Sequence, residues 1–325
     1  MHIVASLTMA LAVTAAGVAA AHAQAFPSKT ITIVVGFPPG GPTDTVARVI
    51  ADHMKGTLGQ TVLVENVGGA VGTIGAARVA RAAPDGYTLN VGQWSSNVGA
   101  PAAMTTPYHV INDFEPVIQL TTSYLWIVGK TALPAKTTKD LVSWMKANSG
   151  KVSAASVGIG GAAHVCLIDF MNKSGTKFTI VPYKGGAPAL QDLVGGQIDI
   201  GCLEASQTLQ QYRAGKVRIF GILADKRWFG APEVPTLAEG GLPGDQITFW
   251  HGLWAPKGTP KDVIARLNGA VRAAFADATV RKRFTDLGHA IPPAEQLTPQ
   301  ALGVHHKAEI DRWWPLIKAA GIKAK

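Results

Sequence analysis

Two glycine-rich runs carry the residues best suited to chemistry in this sequence. The first is Gly36-Phe37-Pro38-Pro39-Gly40-Gly41-Pro42-Thr43-Asp44. It follows a β-branched run and precedes a stretch with helical apolar spacing, so it reads as a strand-to-helix loop. Unpaired backbone N–H groups at such a helix start attract an anion. A plain connection with Thr43 or Asp44 as N-cap is the simpler alternative. The unbroken Gly/Pro run Pro38–Pro42 exceeds what a cap needs, which favours contact with a polar or anionic ligand. The loop nearly spells a P-loop, but Pro42 stands where the phosphate-reaching Lys belongs, which argues against nucleoside triphosphates.

The second run is Gly158-Ile159-Gly160-Gly161-Ala162-Ala163-His164. It satisfies G-x-G-x-x-A after a strand, the dinucleotide fingerprint. The acid that should end the next strand is missing; that strand closes Val181-Pro182-Tyr183-Lys184. No cofactor is therefore expected. His164 reads either as a locally bonded helix residue or as a polar group beside the loop. Catalytic sets are thin. No G-x-S-x-G occurs, and Ser95, Ser96 and His164 are the candidates for a rival reading, a secreted α/β hydrolase. His305-His306-x-x-Glu309 lacks the order of a zinc helix, so no metal is expected. Asp199 and Glu204 flank a strand and face either solvent or a cleft; in a cleft, either acid is expected to disfavour a second carboxylate and favour an amine or amide, and with both turned away a dicarboxylate is reasonable.

The elements that must position these loops alternate. Thr30–Val35, Val62–Glu65 and Tyr87–Val91 are strands, with helices at Asp44–Leu58 and Thr73–Ala82 between them. This order implies a parallel, doubly wound sheet. A second set starts near Tyr124–Val128 and continues through strands at Val152–Ser156, Phe178–Val181, Ile198–Leu203 and Val217–Leu223. Gln246–Trp254 is extended. Helices at Pro260–Ala276, Val280–Leu287 and Pro299–Ala320 close the chain.

Composition bounds the function. The formal charge is +9, but the basic residues are scattered and have few aromatic neighbours, which argues against nucleic acid. Residues 1–23 contain no Lys, Arg, Asp or Glu and end Ala21-His22-Ala23, the pattern of a cleaved secretory signal. The chain is thus expected in an oxidising compartment. Cys166 and Cys202 fall in the same α/β set; two buried thiols are the favoured state and a bridge is the alternative.

Read in order, the first loop and Glu65-Asn66, Ala83-Pro84-Asp85-Gly86-Tyr87-Thr88, Val181-Pro182-Tyr183-Lys184-Gly185, Gly195-Gly196-Gln197-Ile198-Asp199, Val234-Pro235-Thr236-Leu237 and Trp250-x-Gly252-Leu253 resemble the Bug (TctC-like) solute-binding proteins of tripartite tricarboxylate transporters. The resemblance implies an α/β, two-domain Venus flytrap fold with a ligand cleft between domains. Domain 1 is expected to comprise residues 26–122 plus 249–325, and domain 2 residues 123–248. It also implies a monomeric periplasmic carrier, not an enzyme, that passes a small carboxylate to a membrane permease. Carried over residue by residue, the ligand contacts are Phe37, Gly40, Gly41, Thr43, Asp44, Ala70 and Ser95 on one side. On the other they are Gly158, Gly160, Gly161, His164 and Asp199. The family usually has Ser where this chain has Gly161, which removes one hydroxyl donor. Neither loop holds a Lys or Arg between its glycines. The carboxylate is therefore expected on N–H groups near Gly40, Gly41 and Gly161, the Thr43 hydroxyl and waters, with Asp44 turned to its own helix end.

Overall fold

A computed structural model describes residues 26–242 and 246–324. The proposed signal segment lies outside the described residues. The first α/β unit comprises β1 (Ile31–Val35), α1 (Pro42–Leu58), β2 (Val62–Asn66), α2 (Thr73–Ala80) and β3 (Thr88–Gln93). β1 pairs in parallel with both β2 and β3. The apolar stripe of α1 explains its placement: Val46, Val49, Ile50, Met54 and Leu58 are all buried. Each such side chain contributes roughly 1.5–3 kcal/mol of burial. A π-helical turn, Ser95–Gly99, and the short α3 (Ala100–Ala103) follow.

β4 (Phe114–Lys130) is one strand of 17 residues. The sequence pattern showed only its Tyr124–Val128 part. Up to Tyr124 it pairs antiparallel with β9 (Thr248–Pro256). From Leu125 it pairs with β7 (Ile200–Glu204) and, from Trp126, with β8 (Val217–Ile222). One strand thus serves two half-sheets, and the hand-over falls at Tyr124–Leu125.

The second unit holds α4 (Thr138–Ala147), β5 (Ser153–Ser156), α5 (Ala162–Ser174), β6 (Thr179–Pro182), α6 (Gly186–Val194) and α7 (Ala205–Arg213). β5 lies parallel to both β6 and β7. After β9 come α8 (Lys261–Ala276), α9 (Ala278–Asp286) and α10 (Pro299–Ala319). The strand order is β2-β1-β3-β9-β4-β7-β5-β6, with β8 also on β4. The chain therefore returns through β9 to pack α8 against α1, and Val263, Ile264, Leu267, Val271 and Phe275 are buried as their spacing predicts.

The favoured thiol state is corrected. Cys166 on α5 and Cys202 on β7 form a disulfide, with Cα atoms 6.3 Å apart. That spacing is within bridging range, because α5 packs directly on the strand beside its own. Sequence separation could not supply this proximity.

Candidate functional site

The first loop ends in a helix start without a side-chain cap. Gly41 is the N-cap of α1 and Pro42 its first residue, so neither Thr43 nor Asp44 takes the capping role. Pro suits this place because its missing N–H would have no helical acceptor. The Thr43 and Asp44 N–H groups likewise have no acceptor within the helix; the first intrahelical bond is Thr45 N–H to the Gly41 carbonyl.

Asp44 staples the loop. Its carboxylate accepts from the Gly40 N–H (3.0 Å), Arg48 Nε (2.9 Å) and Asn66 Nδ2 (2.9 Å). Burial works to raise its pKa, but those bonds, Arg48 foremost, outweigh it and hold the group below the ordinary carboxylate range. Asp44 is thus turned into its own loop and helix start, the orientation expected of it. The Gly40 N–H is consumed in the same way.

The second loop is also partly self-satisfied. The Gly161 N–H donates to the Gly158 carbonyl at 3.1 Å, and the His164 N–H to the Gly161 carbonyl at 2.9 Å. The Gly161 N–H is therefore spent within the loop, whereas the N–H of Ala163 has no helical acceptor at this position. The Ala162 N–H is taken by the Ser95 hydroxyl at 3.0 Å. Ser95 thus caps α5 from the opposite unit. Its turn is braced by α10: His306 Nε2 bonds the Asn97 carbonyl at 2.8 Å, and Trp314 Nε1 the Val98 carbonyl at 3.0 Å. Backbone approach is close here. A Cβ on Gly99 would lie 2.1 Å from the Gly160 carbonyl oxygen, and Gly160 itself has φ +79°.

Between the loops lies a cleft with a cavity volume of about 40 Å³. It is narrow and suits a small ligand. Phe37, Gly41 and Thr43 line one wall; Ala163, Gly186, Glu204 and Gln207 line the other. The starts of α1, α5, α6 and α7 therefore meet at one cavity, beyond the carboxyl ends of β1, β5, β6 and β7. Open α/β sheets bind ligands at such ends. No Lys or Arg lines the cleft among the described residues.

The remaining sequence candidates stand apart from the wall. Ala70 is exposed, with φ 45°. Gly158 and Gly160 build the loop behind it. His164 is half-buried; burial lowers its pKa, and its Nδ1 has no hydrogen-bond partner. Asp199 is a correction: it precedes β7 and bonds the Ser153 N–H and Lys130 at the opposite end of the sheet. The residue at the ligand end of β7 is Glu204. The rule that ligands gather at strand carboxyl ends could have chosen it. Ser96 bonds Gln93 and Asn97, so both candidate nucleophile hydroxyls serve local structure.

His251 was hidden in the unread position of Trp250-x-Gly252. It is fully buried, with Nε2 3.3 Å from the Thr43 hydroxyl and Nδ1 3.2 Å from the Thr121 hydroxyl. Burial, then the neighbouring His289, holds its pKa well below the usual value, so it is a neutral ring that orients Thr43. Glu204, His251 and His289 converge within 4.8 Å. His251 is engaged through both nitrogens by Thr43 and Thr121, whereas Glu204 Oε2 and His289 Nδ1 have no hydrogen-bond partner. In the His305-His306-Glu309 run, His306 holds the turn and Glu309 accepts from Trp94 and Trp250.

Comparison with known proteins decides the family. Residues 46–322 match the family model described as the tripartite tricarboxylate transporter family receptor, TctC. The chain belongs to that family. It is 35% identical to BugT of Bordetella pertussis over 313 residues, covering 95% of each chain. A protein encoded in the TAR-I ttuE-ttuC' intergenic region of Agrobacterium vitis is 42% identical over 303 residues, 93% of this chain and 87% of the relative. Among solved structures, the periplasmic binding protein BugD superposes with a TM-score of 0.88 at 38% identity, over 92% of this chain and 100% of its own. MatC of Rhodopseudomonas palustris, solved with bound malate, gives 0.86 at 40% identity, over 90% and 100%. The fold is that of the two-domain α/β periplasmic binding proteins, and the family is one of solute-binding proteins.

Proposed function

We propose that this protein is a periplasmic receptor that captures a small carboxylate between two lobes and presents it to the permease of a tripartite tricarboxylate transporter. The lobes are residues 26–122 plus 249–325, and residues 123–248, hinged where β4 and β9 cross. Residues 1–23 are the export signal, and the carrier works as a monomer without turning its ligand over. One observation carries the reading: four helix N-termini converge on a narrow cleft with no cationic side chain on its wall. Each N-terminus presents roughly half a positive charge. Together they hold a carboxylate and leave no full buried cation to be stabilised when the site is empty. The malate bound to MatC and the adipate bound to another Rhodopseudomonas palustris relative, at 30% identity, support a carboxylate of this size class. Titration calorimetry with malate and adipate tests it. Saturable binding of either acid is the expected result; no binding of either, together with cleavage of a carboxylate ester offered as substrate, supports the hydrolase reading instead.

A further inference from the structure

The four helix starts explain how one carboxylate is held, but not why an acid sits beside them. Glu204 is 4% exposed and lies on the cleft wall at the N-cap of α7. Its Oε1 accepts from the Ser206 hydroxyl at 2.6 Å, and its Oε2 is buried with no hydrogen-bond partner. Gln207, one turn on, lines the same wall with an unpartnered Nε2. These groups lie across the cleft from Thr43 and await a polar group. We propose that Glu204 is the specificity-determining residue of the cleft: as a neutral acid it donates a hydrogen bond to the second carboxylate of a short dicarboxylate, beside the amide of Gln207. This rests on the carboxylate-receptor reading above and adds the ligand class and a proton requirement.

The surroundings favour the neutral form. Burial pushes the Glu204 carboxyl up to about 8, against the Ser206 and Ser123 hydroxyls, which favour its charge. The titratable groups facing it are His289, from the segment after α9 with Nδ1 3.8 Å away, and His251 on β9. Burial holds both well below the ordinary histidine value, with His289 at about 3, so neither supplies a cation to stabilise an ionised Glu204. Ser123, Ser206 and Gln207 do not titrate. A dicarboxylate in the cleft adds negative charge beside Glu204 and holds its proton more firmly. An ionised Glu204 would instead repel the ligand.

The test is calorimetric titration of the purified protein with malate and with butyrate from about pH 6 to about pH 9. Malate affinity should fall about tenfold between about pH 7 and about pH 9, because Glu204 must regain a proton to bind. Butyrate, which reaches only the helix ends, should vary less than about twofold. In Glu204→Gln, which cannot ionise, the malate slope should vanish. Titrations near pH 9 in two buffers of different ionisation enthalpy count protons on the unaltered chain, and uptake approaching one proton per malate is expected. Malate binding that is flat with pH and takes up no proton overturns the inference while leaving the receptor reading intact. So does a slope that persists in Glu204→Gln. Failure of malate, adipate and butyrate alike to bind at any pH overturns the receptor reading, and this inference with it.

Discussion

Thr43 and Glu204 both line the cleft, and each has a consequence that can be measured alone. The Thr43 hydroxyl is held by His251 and lines the wall. Its removal in Thr43→Ala should weaken carboxylate binding by about 1 kcal/mol, or roughly fivefold, the net value of one hydrogen bond. Calorimetry on the variant checks this. Glu204 also leaves a signature in stability. Its folded pKa, about 8, is raised above the ordinary 4.5. The folded chain therefore keeps a proton that the unfolded chain releases, and stability should fall as pH rises across that window. Three buried histidines act in the other direction. His251, His289 and His306 are held below the ordinary 6.5, the last two at about 3 and about 4. Unfolding lets them charge, so stability should also fall as pH drops below about 6.5. Melting temperatures across pH should thus show a maximum where the opposing slopes cancel, and Glu204→Gln should flatten the alkaline limb and steepen the acid one, because the two windows overlap between 4.5 and 6.5.

Element order was legible because periodicity records it: the stripes of α1 and α8 are buried as their spacing requires. β4 was only partly legible. Its first half, Phe114–Ser123, contains Pro116 and a mixed pattern, since it is covered on both faces and bulges twice against β9. The two glycine loops were visible as loops, but which N–H groups they spend on themselves was not. Asp44, Ser95 and Gly158 satisfy particular donors through contacts fixed only by folding. The disulfide was open for the same reason. It spans a sequence separation of 36, and a loop of that length is worth about 4 kcal/mol in the chain-entropy view. Replacing both cysteines by Ala should lower urea-unfolding stability by about 2–4 kcal/mol. Closer to function, Gly99→Ala places a methyl against the Gly160 carbonyl. The same methyl meets the buried Trp94 ring, so it should lower both ligand affinity, by spreading the two loops, and the melting temperature of the empty protein.

At the scale of the whole molecule, function depends on bringing one half-sheet's helix starts against the other's. Two long strands carry the crossing, and Ser95 capping α5 from the opposite unit shows that the units are in contact around the cleft. The +9 charge of the chain lies away from the binding wall, so it should set solubility and encounter, not affinity. No helix among the described residues is long and apolar enough to cross a membrane. In the proposed receptor, uncharged backbone donors hold the ligand. The most direct test of this is the malate dissociation constant at pH 7, measured by calorimetry between roughly 20 and 200 mM KCl. A buried site built from helix ends is screened weakly, and the account predicts a change of less than about threefold. A steep loss of affinity with salt, abolished by neutralising one particular Lys or Arg, would contradict it and show that a cationic side chain holds the carboxylate.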